Sequence, residues 1–206
     1  MKVILVNGSP RKEGCTFTAL SEVEATLREE GIETEIYHIG QEVVGCKACR
    51  ACAKIGKCVI DDLVNSFVDK ARDADGFIFG SPVHYAAASG NITSFMDRAF
   101  FSGKGAFAFK PAACVLSARR AGTTAAFDQL NKYFTISQMP VISSRYWNMV
   151  HGSNPEDVLK DAEGLQTMRM LARNMAWFLK LREAGDKAGV PLPKQEEVIN
   201  FTNFIR

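Results

Sequence analysis

Short apolar runs that alternate with amphipathic helical stretches constrain the fold of this chain more than any other feature. Residues 2–7 (KVILVN) and 76–80 (GFIFG) have the continuous apolar character of strands buried on both faces. Residues 91–101 instead repeat apolar side chains at i, i+3, i+4 and i+7, the period of a helix with one buried face. The predicted strands are 2–7, 36–39, 76–80, 112–117 and 141–146, and the predicted helices are 16–30, one beginning at Asp61 or Asp62, 91–101, 123–137 and 156–183.

Strands that are separated by helices predict a parallel sheet with right-handed crossovers and helices on both faces. Five strands favour a flavodoxin-like α/β fold, a three-layer α/β/α sandwich with a five-stranded parallel sheet in the order 2-1-3-4-5. We expect one domain over residues 1–188, including a cysteine-rich loop at 45–58, because this length suffices for a sizeable core. Residues 189–206 are predicted to form an extended C-terminal arm, whose apolar side chains need a surface on this chain or on a partner.

Composition and charge exclude several classes of protein. The net charge of +2 gives no basic field that would favour nucleic acid or an anionic membrane. No run approaches the ~18 apolar residues of a membrane-spanning helix, and no secretory signal precedes the first strand. We therefore expect a cytoplasmic protein without nucleic-acid or membrane partners, in a compartment where thiols stay reduced.

The loop after the first strand suits a phosphate group. In a doubly wound sheet, ligands bind beyond the carboxyl ends of the strands, so this loop (GSPRKEGCT, residues 8–16) lies at the expected site. It offers the hydroxyls of Ser9 and Thr16, the cation of Arg11 and the free amides of the next helix. Because it contains neither G-x-G-x-x-G nor a nucleotide P-loop, a single terminal phosphate, as on FMN, fits it better. An ordinary helix cap uses the same residue types and stays an alternative.

The loops after the third and fourth strands complement this phosphate loop. Pro82, Val83 and Tyr85 offer an apolar wall for a flat ring, and the main chain around His84 offers hydrogen bonds. Arg119 places positive charge at the same edge, where it would stabilise the negative charge of a reduced flavin. A half-buried aromatic pair and a solvated arginine are the alternatives.

Three motifs together resemble the NADPH-dependent FMN reductases of the flavodoxin-like superfamily. They are G-S-P-R-x-x-G-x-T at residues 8–16, A-D-G-x-x-x-G-S-P-V-x-Y at 74–85 and F-M-D-R at 95–98. The resemblance implies that the FMN phosphate is held by Ser9, Arg11, Cys15, Thr16 and Phe17. It implies that the isoalloxazine ring is surrounded by Pro82, Val83, His84 and Tyr85, and that the far side is closed by Ala118, Arg119 and Gly122. Cys15 departs from the serine or asparagine that is often found at its position.

Four of the six cysteines lie within one short segment, as C-x2-C-x2-C-x5-C at Cys46, Cys49, Cys52 and Cys58. This spacing resembles the cysteine motif of the iron–sulfur flavoproteins, a branch of the same superfamily, and implies that the four residues bind a [4Fe–4S] cluster. Three closely spaced thiolates and a fourth after a short turn suit such a cluster. The lysines and the arginine of this segment would offset its negative charge. A zinc site, a redox-active dithiol and four plain thiols remain alternatives.

These features lead to two hypotheses about function. The first is an FMN-dependent NAD(P)H oxidoreductase that passes electrons from a nicotinamide cofactor through FMN to a flavin, quinone-like or protein acceptor. The second is an electron carrier that relays electrons between protein partners through FMN and a [4Fe–4S] cluster. In either case a homodimer or homotetramer is expected. Asp97 and Arg98 are expected to form a structural ion pair with each other.

Overall fold

A parallel sheet flanked by helices on both faces forms the framework of the protein. The computed structural model describes residues 1–103, 105–195, 200 and 202. Within these residues the strands are β1 (Lys2–Asn7), β2 (Glu33–His38), β3 (Gly76–His84), β4 (Ala87–Ala88), β5 (Ala112–Ala118) and β6 (Met149–His151). The helices are α1 (Cys15–Glu29), α2 (Cys52–Ile55), α3 (Leu63–Asp73), α4 (Gly90–Ser102), α5 (Thr123–Ile136), α6 (Pro155–Val158) and α7 (Ala162–Lys187).

The sheet has the order β2-β1-β3-β5-β6, and all of these neighbours are parallel. The short strand β4 pairs antiparallel with the end of β3 and lies off this path. The flavodoxin-like order 2-1-3-4-5 is therefore confirmed, since the added β4 changes only the numbering of the last two strands. The carboxyl ends of β1, β3, β5 and β6 meet at one edge of the sheet, where a ligand is expected.

The alternation of side chains along the strands divides the core into two layers. Along β1, Ile4 and Val6 face a layer that is rich in phenylalanine and packs against α3, α4 and α5. Val3 and Leu5 face the opposite layer, which is aliphatic and packs against α1 and α7. All four side chains are fully buried, which explains why β1 is a continuous apolar run in the sequence.

The last strand lies later in the chain than predicted. Residues 141–146 were expected to form it, but Val141 makes only an isolated bridge to Ala112, and the strand is Met149–His151. The hydroxyl of Ser144 bonds the carbonyl of Tyr146 and lies 2.7 Å from Oδ1 of Asn148. This local turn competes with pairing in the sheet.

The last helix is interrupted, whereas one helix over 156–183 was predicted. The helix α6 ends at Val158, and α7 starts again after Asp161, whose carboxylate accepts from the N–H of Gly164 at 2.9 Å. The same carboxylate accepts from the N–H of His151 at the end of β6. The interruption therefore fixes the loop after β6 to the start of α7. Among the described helices, none is long and apolar enough to cross a lipid bilayer.

Of the predicted C-terminal arm, residues 189–195, 200 and 202 are described. Val190, Pro191, Leu192 and Pro193 line a shallow apolar pocket together with Phe178 on α7. The apolar side chains that were expected to dock lie outside the described residues; they are Ile199, Phe201, Phe204 and Ile205. The boundary between a domain at 1–188 and an arm at 189–206 stays a prediction.

Candidate functional site

A cleft of about 490 Å³ opens at the carboxyl ends of β1, β3, β5 and β6. This volume lies within the range that small-molecule sites occupy in proteins. The residues that line the cleft are Ser9, Pro10, Arg11, Gly14, Cys15, Thr16, Pro82, Val83, His84, Ser117, Ala118, Arg119, Gly152 and Ser153. The fold thus brings the three predicted loops to one place, together with a fourth loop after β6.

The loop after β1 is held in shape by buried hydrogen bonds. The Oδ1 of Asn7 accepts from the N–H of Ser9 at 3.1 Å, and its Nδ2 donates to the carbonyl of Lys12 at 2.9 Å. The hydroxyl of Ser9 accepts from the N–H of Arg11 at 3.1 Å. The side chain of Asn7 is fully buried, so the loop keeps its curvature without any help from a ligand.

The first turn of α1 faces this cleft without a side-chain cap. Gly14 is the N-cap residue and has no side chain to accept from the first amides, and no acidic residue lies in the first turn. The amides at a helix start carry partial positive charge and favour an anion. Together with the guanidinium of Arg11 in the same wall, this arrangement fits a phosphate group.

Two predicted phosphate residues are engaged with other parts of the protein. The hydroxyls of Thr16 and Ser117 lie 2.8 Å apart and are buried. The thiol of Cys15 donates to the carbonyl of Gly152 at 3.7 Å, and burial raises its pKa above the ordinary value. Cys15 is therefore a neutral thiol at neutral pH and joins the loop after β1 to the loop after β6.

The hairpin after β3 explains why Tyr85 does not line the cleft. Tyr85 and Ala86 connect β3 to β4, and both have positive φ, at 49° and 60°, as in a type I′ turn. The turn directs the side chain of Tyr85 into solvent, where it is fully exposed. Gly122, with a φ of 93°, leaves room for this hairpin, because a Cβ there would lie 2.6 Å from the Cα of Ala86.

The structure brings nine of the predicted cofactor residues together in the cleft. They are Ser9, Arg11, Cys15, Thr16, Pro82, Val83, His84, Ala118 and Arg119. Phe17, Tyr85 and Gly122 are not among the lining residues. The five lining residues that were not predicted are Pro10, Gly14, Ser117, Gly152 and Ser153. Gly152 and Ser153 were missed because the strand that precedes them was placed too early.

A second cavity collects the four clustered cysteines. Cys46, Cys49, Cys52 and Cys58 all line it, together with Arg98 and other residues. The cavity is narrow, at about 30 Å³. All four cysteines are free thiols, and Cys46 and Cys49 are exposed. Four thiols around one cavity are the donor set of a thiolate-bound iron–sulfur cluster.

A cluster would have to widen this cavity. Cys46 and Cys49 belong to a stretch without helix or strand, so their side of the cavity is the one that can move. In the described part of the chain, no group of three or more His, Cys, Asp or Glu is arranged to hold a single metal ion. The four thiols are therefore the right type of ligand for an iron–sulfur cluster, but the cavity must widen before a cluster can bind.

The backbone of the cysteine loop is locally strained. Ala48 and Arg50 have positive φ values of 51° and 58°, although neither is glycine. Such conformations are uncommon for residues with a Cβ, and they concentrate at functional sites. Ala48 lies between Cys46 and Cys49, and Arg50 between Cys49 and Cys52. The turns at these two positions let successive thiols reach the same cavity.

An ion pair between the buried Arg98 and the partly exposed Asp62 lies against the cysteine cavity. The guanidinium of Arg98 donates to both carboxylate oxygens of Asp62, at 2.6 and 2.8 Å, and only 1% of the Arg98 side chain is exposed. Burial tends to raise the pKa of Asp62, but hydrogen bonds from Arg98 and from the N–H of Val64 outweigh it and hold that pKa below its ordinary value. The expected ion pair between Asp97 and Arg98 is wrong, since Asp97 instead accepts from the hydroxyl of Tyr133.

Comparisons with known proteins bear on both sites. The sequence model of the family described as NADPH-dependent FMN reductase matches residues 1–154. An iron-sulfur flavoprotein of Methanocaldococcus jannaschii is 35% identical over 191 residues, covering 88% of this chain and 98% of that protein. An iron-sulfur flavoprotein of Methanosarcina thermophila is 30% identical over 188 residues, covering 88% of this chain and 96% of that protein.

Solved structures show the same fold at low sequence identity. A flavodoxin from the domain Archaea matches with a TM-score of 0.60 and 16% identity, over 87% of this chain and 99% of that one. An NADH:FMN oxidoreductase in its apo form matches with a TM-score of 0.63 and 16% identity, over 87% of this chain and 89% of that one. At this identity the likeness establishes the flavodoxin-like fold alone.

Proposed function

The chain belongs to the NADPH-dependent FMN reductase family, with iron–sulfur flavoproteins as near full-length relatives, and from this premise we propose that it transfers electrons between FMN and a [4Fe–4S] cluster. One observation carries the proposal. A single chain holds both a cleft at the sheet edge, whose lining suits a phosphate group, and a separate cavity lined by four cysteines. FMN and the cluster, when bound, supply the electron-accepting chemistry, and the protein supplies binding, orientation and charge.

The residues of the cleft would hold FMN in a fixed orientation. The amides at the start of α1, with Ser9 and Arg11, would bind the phosphate. Pro82 and Val83 offer an apolar surface against which a flat ring can pack. Arg119 lines the same cleft and would stabilise negative charge on the ring.

The four cysteines would bind the cluster. The surrounding charge supports this, because Lys47 and Arg50 line the cavity and, among the described residues, no acidic side chain does. A thiolate-bound cluster carries net negative charge, which these cations offset. Zinc stays the alternative ligand, and metal analysis separates the two.

A second candidate function is an NAD(P)H oxidoreductase that passes electrons to a flavin, quinone-like or protein acceptor. The description of the family names NADPH as the reductant. The cleft supports this candidate, because it is an open groove rather than an enclosed cavity, and an open groove would leave access for a nicotinamide ring. The two functions differ in whether the cysteines are needed.

Assembly into a homodimer or homotetramer is part of the proposal. Tyr146, Trp147, Trp177 and Leu181 are each at least half exposed, and large apolar side chains in such numbers are typical of interfaces. Light scattering across a dilution series tests this, and a monomer at every concentration would contradict it.

Anaerobic purification followed by cofactor analysis tests the function. We expect about one FMN, four iron and four sulfide per chain, as a [4Fe–4S] cluster requires. Anaerobic addition of NADPH or NADH then measures the rate of flavin bleaching. The reductase would be supported, and the carrier contradicted, if the protein holds FMN but no iron after anaerobic reconstitution and if NADPH rapidly reduces its flavin.

A further inference from the structure

The side chain of Arg98 uses all of its hydrogen-bond donors around the cysteine cavity. A guanidinium has five N–H groups. Nε donates to Sγ of Cys58 at 3.3 Å, Nη1 donates to the carbonyl of Val44 and to Asp62, and Nη2 donates to the carbonyl of Ile60 and to Asp62. Every donor of this buried cation therefore has a partner, and four of its contacts are to oxygens that fix its orientation.

These contacts join the two ends of the cysteine loop. Val44 precedes Cys46, and Ile60 follows Cys58, so one side chain on α4 ties the chain before the first cysteine to the chain after the last. Asn65 adds to this at Cys58, because its Oδ1 accepts from the N–H of Cys58 and its Nδ2 donates to the carbonyl of Cys58, both at 3.0 Å. The backbone and the sulfur of Cys58 are thus both held by side chains.

The other cysteines are held differently. Cys46 and Cys49 are exposed, and Cys52 begins the short helix α2. Within the described residues, no side-chain hydrogen bond comparable to those of Asn65 and Arg98 is present at these three cysteines. Cys58 is therefore the one thiol of the four whose position is set before any ligand arrives.

We infer that Arg98 is a positioning residue for the iron–sulfur cluster, which fixes Cys58 as a ready-made ligand and raises the reduction potential through its hydrogen bond to the ligand sulfur. This inference rests on the proposed function. One-electron reduction adds one negative charge to a cluster and breaks no bond in the protein. A buried cation that donates to a ligand sulfur stabilises that added charge, and hydrogen bonds to sulfur are among the factors that set such potentials.

The test is the midpoint potential of the cluster in the Arg98→Lys variant, measured by anaerobic redox titration. Lysine keeps the positive charge, but it cannot form a bidentate ion pair with Asp62 and also donate a hydrogen bond to Cys58. We expect the ratio of reduced to oxidised cluster at a fixed potential to fall about tenfold, which for one electron is about 59 mV. Lys132→Gln is the control, because it removes an exposed cation of α5 that lines neither the cysteine cavity nor the cleft, and we expect less than about a twofold change.

A second measurement does not need the cluster. Hydrogen exchange of the apo-protein should speed up in residues 44–62 of the Arg98→Lys variant, while exchange in β1 and β3 stays at the wild-type rate. If Arg98→Lys fails to fold, the paired variant Arg98→Met with Asp62→Asn removes both charges and strands neither, and the same fall in potential is expected.

The outcomes separate the two proposals. A wild-type protein that binds no iron after anaerobic reconstitution would overturn the proposed function and this role of Arg98 with it. A loaded wild type whose potential and exchange rates are unchanged by Arg98→Lys would overturn the role of Arg98 alone.

Discussion

The cofactor cleft and the cysteine cavity are built in opposite ways within one chain. The cleft lies where four parallel strands end, and its first loop is held by the buried side chain of Asn7. The cysteine cavity is walled by a segment with little regular structure, in which Ala48 and Arg50 have left-handed conformations. Its closure depends on one buried arginine, Arg98.

The difference teaches that topology positions one site and individual side chains position the other. Strand ends that meet at a sheet edge create a cleft in any fold of this class, so single substitutions there should have graded effects. A loop that is held by the Asp62–Arg98 ion pair and by Asn65 should lose its function in larger steps when one of these side chains is replaced. Four substitutions test this contrast, from the largest expected effect to the smallest.

Cys58→Ser should abolish iron binding and leave FMN binding intact, because it removes the one cysteine that the protein itself fixes. Iron, sulfide and flavin per chain after anaerobic purification measure the effect. Cys114→Ala is the matched control, since Cys114 is fully buried outside the cavity. Wild-type iron content in both Cys58→Ser and Cys58→Ala, of which the second offers no donor atom, would remove Cys58 from the ligand set.

Asp62→Asn should lower the free energy of unfolding by about 2 to 3 kcal/mol at neutral pH, because it strands the buried charge of Arg98. Urea denaturation measures the loss. The pKa of Asp62 is lower in the folded protein than in the unfolded chain, so its stabilisation is complete above the unfolded pKa, about 4, and is lost as pH falls through the folded pKa. The gap between variant and wild type should therefore narrow below about pH 4.

Asp69→Asn on the same helix is the control for Asp62. Asp69 is largely exposed and lies 4.0 Å from Arg72, and such surface pairs contribute little. An equal loss of stability in both variants would show that the Asp62–Arg98 pair has no special role.

Arg11→Gln should weaken FMN binding about 10- to 100-fold, the value of a charge-assisted hydrogen bond to phosphate. Flavin fluorescence titrations measure the affinity. Riboflavin, which lacks the phosphate, should bind both proteins equally. Lys12→Gln is the control, because Lys12 is exposed on the same loop and does not line the cleft. Equal weakening of FMN and riboflavin would place Arg11 away from the phosphate.

Tyr85→Ala should change FMN affinity less than about twofold, because the side chain is fully exposed and lies outside the cleft. His84→Ala, the neighbouring residue that does line the cleft, should weaken binding more. The same titrations compare the two variants. A larger effect of Tyr85→Ala than of His84→Ala would show that the hairpin closes over the flavin.

The layout of the sheet could be predicted because its signals are local. Strands buried on both faces are continuous apolar runs, and helices such as α4 show their period within a dozen residues. The strand β6 has only three residues, too few to show a strand pattern, and the stretch before it, which begins with Val141 and Ile142, was predicted as the strand instead. Because the last strand was placed too early, Gly152 and Ser153 were not predicted to line the cleft. They do so because they directly follow β6.

The rest of the site depends on contacts that no local pattern reveals. A type I′ turn usually contains Asn-Gly, so the sequence Tyr85-Ala86 did not predict this turn. The outward direction of the Tyr85 side chain, which follows from the turn, was therefore not predicted either. Asp62 and Arg98 are 36 residues apart, whereas Asp97 is the neighbour of Arg98 and suggested the wrong pair. The four cysteines, by contrast, were assigned to one site from their spacing and its resemblance to a family motif, and all four do line one cavity.

The residues of the cysteine cavity and of the cleft are synthesised in a fixed order, which follows from their positions along the chain. Arg98 is made 40 residues after Cys58, an interval of about 2 to 8 s at typical rates of synthesis. All residues that line the cysteine cavity exist once Ser102 has been added, whereas the cleft waits for Ser153. A nascent chain therefore contains every residue that lines the cysteine cavity before it contains β5, although the core layer on which α4 packs also includes Cys114 and Leu116 of β5.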